Sequence, residues 1–216
     1  MEKKNLIIIS AGALGREICH MAGGAARVKI DSPWETTGFL DDRKGILKNK
    51  DAFNVPILSS VEEYEPQPED RFISAIGSPS ARTHYAEMIR KKGGEFTCII
   101  SNRAVVTRRK HILPGCVIGP FCVLSSDLKI GKDTFLMAHV TLGHDVELGD
   151  SCHVGAYTFI GGRAKIGNQV TIHPHSCILP DTVVEEGATV GAGSVVISRV
   201  PAGETVFGVP ARIVRT

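Results

Sequence analysis

From Val106 to Val196 every sixth residue is aliphatic. The positions are Val106, Ile112, Ile118, Leu124, Ile130, Leu136, Leu142, Leu148, Val154, Ile160, Ile166, Ile172, Ile178, Val184, Val190 and Val196, with no skipped register. With roughly one residue in four being Val, Ile or Leu, chance gives such a run about once in a billion trials. Four residues later sits a small or branched side chain: Cys122, Thr134, Val140, Val146, Cys152, Thr158, Ala164, Val170, Ser176, Thr182, Ala188 and Ser194, with Leu128 the larger exception. Glycine often follows the aliphatic residue directly, as at Gly119, Gly143, Gly161 and Gly191. A period of six is neither helical nor a simple strand alternation. It predicts a parallel β-helix in which each hexapeptide forms one short strand and one turn. Three hexapeptides close a triangular coil of about eighteen residues, stacked at ~4.8 Å, so the run supplies about five coils. The aliphatic residue points into the prism and the small one fills the corner. The glycines are expected to relieve the turns through positive φ.

Residues 1–103 follow another pattern. Leu6–Ile9 reads as a buried strand, Gly12–Gly15 as a tight turn and Arg16–Ala22 as a helix that breaks at Gly23-Gly24. Thr37–Leu40 is a second strand ending in Asp41-Asp42. Pro66–Asp70 is a loop, Phe72–Ile76 a third strand, and Ala81–Lys92 a helix closed by Gly93-Gly94. Strands alternating with helices predict a Rossmann-like α/β domain of βαβ units with a parallel sheet. The second domain, 104–216, is the β-helix and its tail.

Composition agrees with this division. Of 216 residues only twelve are Phe, Tyr or Trp, against 23 Gly, as expected for a narrow prism filled by Val, Ile and Leu. At 43% hydrophobic residues the chain is not a disordered one. Charges nearly cancel, 25 basic against 23 acidic, and the short cluster Arg108-Arg109-Lys110 reads as a solvated turn. No nucleic-acid partner is expected. The longest apolar run, Leu6–Ile9, is far short of the roughly 20 residues of a membrane span, and Met1-Glu2-Lys3-Lys4 starts no signal peptide. Six cysteines without CxxC spacing read as reduced thiols of a cytoplasmic protein.

Two regions carry candidate chemistry. Gly12, Asp41, Asp42 and Gly77 all fall at the carboxyl ends of predicted strands. Ligands of open parallel sheets bind there, near helix N-termini that favour phosphate. These residues are either ordinary turns or a nucleotide pocket in which Asp41 or Asp42 accepts bonds from a ribose or a base. In the coil phase His144 points outward, two residues after the inward Leu142. Asp145 follows it, and Gly162 lies one coil above. His144 is either a solvated residue or a general base whose tautomer Asp145 holds. His153 is one and a half sides of the triangle away and meets His144 only across subunits, for which a cyclic trimer is the natural closure. His139, His144 and His153 leave an interfacial zinc site as an alternative. His173-Pro174-His175 is either a structural turn or a short metal-binding tract.

The repeats together with the tail Val200-Pro201-Ala202-Gly203 and Gly208-Val209-Pro210-Ala211-Arg212 resemble the hexapeptide-repeat (left-handed β-helix) acyltransferases. The glycine turn after Ser10-Ala11, Gly38-Phe39-Leu40-Asp41-Asp42 and Ala75-Ile76-Gly77 narrow the resemblance. They are similar to the sugar O- and N-acetyltransferase branch that includes bacillosamine-, perosamine- and sialic-acid-modifying enzymes. The resemblance implies His144 as catalytic base and Asp145 as its orienting partner. It implies acetyl-CoA contacts at His153, Gly162, His173, Ala192, Pro210 and Ala211. It implies an acceptor pocket at Gly12, Ala13, Arg16, Asp41, Asp42 and Gly77. The chain departs from that pattern at Arg16, where relatives commonly have His, and at His173, where relatives often have a small residue. The expected activity is acetyl transfer from acetyl-CoA, as co-substrate and without a metal, to the amino group of a nucleotide-linked amino sugar of the UDP-4-amino-sugar kind. A homotrimer is expected, with the oxyanion met by a backbone N–H near Gly162 or His153 and no acyl-cysteine. The alternatives are sugar O-acetylation of the sialic-acid type, a zinc carbonic-anhydrase-like protein, and a non-catalytic nucleotide-sugar binder.

Overall fold

The computed structural model describes residues 4–23, 34–43, 45–48, 55–108 and 110–214. Gly24 of the expected break, Arg109 of the basic cluster and the start at residues 1–3 lie outside the described residues. The chain divides into two compact units, Met1–Ile99 and Ile100–Thr216.

The first unit is a parallel sheet with two helices. Its elements are β1 (Lys4–Ile9), α1 (Ala13–Met21), β2 (Trp34–Leu40), β3 (Ile57–Ser59), β4 (Asp70–Ser74), α2 (Pro79–Lys91) and β5 (Glu95–Phe96). The strand order is β3-β2-β1-β4-β5. The sheet grows outward on both sides of β1, so its topological switch lies between β1 and β4. Leu6, Ile7, Ile8 and Ile9 are at most 1% exposed, as a central strand covered on both faces requires. Ile7, Ile9, Leu40, Val61, Phe72 and Ile89 form one core cluster, with Tyr64 and Phe96 packed against it.

Several boundaries differ from the pattern reading. Helix α1 begins at Ala13, three residues early, with Gly12 as its N-cap and Gly15 inside it. A Cβ on Gly15 would lie 2.0 Å from the Ser10 carbonyl oxygen, so this glycine marks a close approach of helix to strand rather than a turn. Asp70 opens β4 instead of closing a loop. It is buried, and its carboxylate accepts from the Tyr64 hydroxyl (2.9 Å) and the Gln67 N–H (2.8 Å). Helix α2 starts at Pro79 behind Ser78, whose hydroxyl accepts the Ala81 N–H at 3.5 Å.

The second unit is the β-helix. Two-residue strands pair in parallel at an offset of eighteen residues: Ile118 with Leu136, Leu136 with Val154, Val154 with Ile172 and Ile172 with Val190. A second face pairs Leu124, Leu142, Ile160, Ile178 and Val196. The third pairs Ile130, Leu148, Ile166 and Val184. Every aliphatic residue of the series from Ile118 to Val196 is at most 4% exposed. Val106 and Ile112 at the open end are half-buried. The corner residues are buried as expected, Leu128 included.

The role expected of the glycines needs correcting. From Ile112 to Val190 positive φ falls three residues after each aliphatic position, and the residues there are mostly not glycine: Phe121, Asp127, Asp133, His139, Asp145, Ser151, Tyr157, Arg163, Gln169, His175 and Asp181. The glycine directly after the aliphatic residue serves close approach between coils. A Cβ on Gly161 would come within 2.5 Å of the Pro180 nitrogen. The tail adds Thr205–Phe207 beside Thr189–Val190, then turns back as Arg212–Ile213. The turn includes a cis Val209–Pro210 bond and is tied down by the Ala211 N–H to the Val195 carbonyl at 2.8 Å.

Candidate active site

The turn after the strand Thr141–Leu142 presents His144. Coils below and above clamp its backbone: the Asp145 N–H bonds the Ser126 carbonyl (3.1 Å) and the Arg163 N–H bonds the His144 carbonyl (2.9 Å). Asp145 holds the left-handed corner conformation, φ 58°, which aspartate tolerates better than most residues. His144 Nδ1 and Asp145 Oδ2 are 2.7 Å apart, and both side chains are about half exposed. That contact commits Nδ1 as donor, which leaves Nε2 as the acceptor. Nε2 lies against Gly162 one coil up: a Cβ there would sit 2.8 Å from Nε2 and 3.1 Å from Cδ2 and Cε1. The imidazole therefore presents a free basic nitrogen over a strip of bare backbone, the shape a thin, extended ligand would need.

Next to this dyad is a feature that spacing did not single out. Arg163 and Asp181 follow Asp145 at eighteen-residue steps on the same corner. Arg163 Nε and Nη2 grip the Asp181 carboxylate at 2.7 and 2.8 Å. Hydrogen bonding from Arg163 holds the Asp181 carboxyl below its ordinary value, with His144 adding a smaller attraction. The signal that could have found it is opposite charge at the coil period.

Of the residues expected to touch the acetyl donor, Gly162 lies over His144, whereas His153, His173 and Ala192 lie on another face. The strand His153–Val154 pairs with Phe135–Leu136 and Thr171–Ile172, whereas Thr141–Leu142 pairs with Val123–Leu124 and Phe159–Ile160. His153 is half-buried, and its N–H bonds the Val170 carbonyl at 2.9 Å. Exposed His173 and Ala192 sit in the turns that leave the same sheet, after Ile172 and Val190. Exposed Pro210 and half-buried Ala211 close the tail beside Val195.

Within one chain the histidines of the interfacial zinc alternative are not brought together. His139 is stacked between Phe121 (4.8 Å) and Tyr157 (4.5 Å), and His175 continues the column at 5.0 Å from Tyr157. This places His139 on a corner away from the His144 turn. Among the described residues no three His, Cys, Asp or Glu side chains are grouped to hold a metal ion. Burial pushes the Cys19 and Cys122 thiols up to about 11.

The second candidate region is a cavity of about 280 Å³ at the carboxyl ends of β1, β2 and β4. Ser10, Asp41, Asp42, Arg43 and Tyr85 supply its polar lining. Of the expected acceptor residues, Asp41 and Asp42 line it, and Gly12, Ala13, Arg16 and Gly77 do not. The Gly12 N–H bonds Ser10 Oγ (3.2 Å), and Arg16 Nη1 bonds the Ala11 carbonyl (3.0 Å). Asp41 is 7% exposed. Burial pushes its carboxyl up, but hydrogen bonds from the Arg43 side chain, the Arg43 N–H and the Ala11 N–H outweigh this and hold it below its ordinary value. Arg43, Ser10 and Tyr85 went unnoticed in the sequence, because nothing in their spacing distinguishes them from loop and helix surface residues.

Comparison with known proteins agrees with both units. Residues 5–89 match the family model described as the PglD N-terminal domain, and residues 127–162 and 163–198 match the bacterial transferase hexapeptide (six repeats). The chain is 29% identical over 202 residues to the GDP-perosamine N-acetyltransferase of Escherichia coli O157:H7, covering 93% of this chain and 81% of that protein. The acetyltransferase domain of PglB from Neisseria gonorrhoeae FA1090 superposes with a TM-score of 0.83 at 25% identity, covering 98% of this chain and 100% of that one. PerB from Caulobacter crescentus, solved with CoA and GDP-perosamine, shares the fold at a TM-score of 0.82 and 21% identity, over 98% and 97% of the two chains. With a repeat model on one unit, an N-terminal-domain model on the other and whole-length relatives across both, the chain belongs to the hexapeptide-repeat acetyltransferases, in the sugar-modifying branch that carries a PglD-type N-terminal domain.

Proposed function

We propose that the protein transfers the acetyl group of acetyl-CoA to the amino group of a nucleotide-linked amino sugar, with His144 as general base. The observation that carries this reading is the His144–Asp145 contact at 2.7 Å, with Nε2 turned to the bare backbone of Gly162. The named relatives, a GDP-perosamine N-acetyltransferase and a structure holding CoA and GDP-perosamine, support the substrate classes.

The chemistry follows from the tautomer. An amine attacks a thioester only through its lone pair, so the proton it sheds needs an acceptor. Nε2 takes that proton while Asp145 steadies the imidazolium that results. The amine nitrogen bonds to the thioester carbon, and the carbonyl oxygen becomes an oxyanion. Of the two backbone donors expected there, the His153 N–H is spent on Val170, which leaves that of Gly162. Collapse breaks the carbon–sulfur bond, and His144 returns the proton to the leaving thiolate. Holding both substrates in line supplies much of the remaining acceleration.

His153, His173 and Ala192 share a face that His144 does not. The site is thus read as one made by two copies in a homotrimer. Exposed Val105, Val123 and Phe159 run down one side of the β-helix, as a covered face would. Six free cysteines suit a reducing compartment such as the cytoplasm.

The test is steady-state turnover of His144→Ala with a panel of nucleotide 4-amino sugars, followed by thiol release from acetyl-CoA. Loss of about 10²-fold or more in kcat with acetyl-CoA still bound is expected. Near-normal turnover of a folded variant would refute the assignment. Activity on free sugar hydroxyls alone would replace the amine acceptor with an O-acetylated one, and a monomer in light scattering would refute the shared site.

A further inference from the structure

The corner that carries Asp145 is a column of charge. At eighteen-residue steps it reads Asp127, Asp145, Arg163 and Asp181. All four hold the left-handed conformation, with φ between 58° and 62°. Backbone bonds fix them one above another: the Arg163 N–H donates to the His144 carbonyl (2.9 Å) and the Asp181 N–H to the Gly162 carbonyl (3.0 Å). Coils stack at ~4.8 Å. The Arg163 guanidinium therefore has a carboxylate one coil away on either side, Asp145 below and Asp181 above.

Among the described residues, each arginine of this corner is committed to an acid other than Asp145. Arg108 pairs with Asp127 at 3.7 Å. Arg163 puts Nε and Nη2 on the two Asp181 oxygens, at 2.7 and 2.8 Å. Arg199, eighteen residues after Asp181, bonds Glu185 instead. Asp145 is left to His144 Nδ1, at 2.7 Å. Arg163 nonetheless feels Asp145. Hydrogen bonds and charge from Asp181 raise the guanidinium above its ordinary value, desolvation opposes them, and Asp145 adds a further attraction. The Arg163 and Asp181 side chains are 53% and 62% exposed, so the pair contributes little to stability as an ion pair. Its consequence lies in what Arg163 would do without it.

We propose that Asp181 is a positioning residue for the His144–Asp145 dyad: it holds Arg163 away from Asp145, so that Asp145 stays with His144. This rests on the reading of His144 as general base. A guanidinium favours a carboxylate that it meets with two parallel N–H groups. With Asp181 gone, the carboxylate on its other side is Asp145. A bidentate Arg163–Asp145 pair would occupy both oxygens, and the imidazole would lose the acceptor that fixes Nδ1 as donor. The pair would also cancel the charge that steadies the imidazolium. In part of the molecules Nε2 would then carry the ring proton and could not accept another.

The test compares Asp181→Asn, Arg163→Gln and the double variant. Two readouts are taken: thiol release from acetyl-CoA with the nucleotide 4-amino sugar that the unaltered protein turns over best, and the nitrogen NMR spectrum of the His144 ring. Asparagine keeps the left-handed corner as readily as aspartate, and glutamine already holds such a corner at Gln169, φ 55°. Asp181→Asn is expected to lower kcat about tenfold to a hundredfold, with the KM for acetyl-CoA little changed. Arg163→Gln should keep most of kcat, because it removes the competitor for Asp145. The double variant should recover to the Arg163→Gln level. The ring should be protonated at Nδ1 in the unaltered protein and as a mixture of tautomers in Asp181→Asn, with the mixture gone again in the double variant. A merely structural ion pair would cost the same whichever partner is removed. Equal losses from the two single variants, no recovery in the double, or an unchanged tautomer in Asp181→Asn would overturn the proposal. The ring spectrum needs no substrate. If it behaves as expected while His144→Ala turns over normally, the base assignment falls and the positioning of the ring stands.

Discussion

Gly162→Ala is a small change with a large expected consequence. The new Cβ would sit 2.8 Å from His144 Nε2 and 3.1 Å from Cδ2 and Cε1. Ordinary carbon contacts are about 3.5–4.0 Å, so the ring must move by roughly half an ångström to one ångström. It has room to move, since His144 is half exposed. Moving breaks or lengthens the 2.7 Å bond to Asp145 and covers the nitrogen proposed to accept the proton. The cost to the fold is small, because the clash is relieved in solvent: about 1 kcal/mol or less, or roughly 2–4 °C in melting temperature for a chain of this size. The cost to catalysis is that of a misplaced general base, about 10²-fold or more in kcat. Thiol release from acetyl-CoA, alongside a thermal melt, measures both. On a His144→Ala background the same change should cost little more, because the group it displaces is gone. Full activity in Gly162→Ala would refute the placement of Nε2. Equal losses in the two backgrounds would show that Gly162 acts on something other than His144.

Three further outcomes follow from the packing and the shifted groups. Ile160→Ala empties a fully buried position in the prism and should cost about 2–5 kcal/mol in urea unfolding. Cys122→Ala should keep turnover, since a thiol held at about 11 is not a nucleophile near neutral pH. Loss of turnover with the fold intact would revive an acyl-cysteine route. The Asp41 carboxyl is lowered in the folded chain, so its stabilisation is present above the ordinary carboxylate value of about 3.9 and is lost as pH falls through the lower folded value. Asp41→Asn should therefore destabilise the first unit by about 1–3 kcal/mol at pH 7 and flatten the stability slope below pH 4. Denaturant titrations from pH 2.5 to 7 test it, and an unchanged acid slope would refute it.

The period of six carried the β-helix because each repeat buries the same kind of residue at the same depth. The sequence pattern and the packing there are one constraint seen twice. The reason for the glycines was not legible. From one chain a residue after an apolar position looks like a turn, whereas its cause is a backbone eighteen residues away, as at Gly161 and Pro180. The positive φ went instead to positions such as Phe121, Tyr157 and Arg163, which no propensity would single out. Stacking on the next coil overrides their preference. In the first unit β3 and β5 are three and two residues long, too short to show any period, and they are strands because neighbours pair with them.

The same distinction separates the two sites. His144 and Asp145 were legible because neighbours in sequence on a fixed corner are neighbours in space, and the coil step put Gly162 above them. The cavity is different. Asp41 and Arg43 are two apart, yet what each does depends on Ala11, brought in from another strand end by the sheet. That bond, with those from Arg43, occupies the buried carboxylate and makes it a brace. It leaves the outer end of the Arg43 guanidinium at the cavity rim, on a residue that looked like surface. A site built on a repeat can be read along the chain. A site built at a topological switch requires the hydrogen bonds to be counted, because which acid is free follows only from which acid is full.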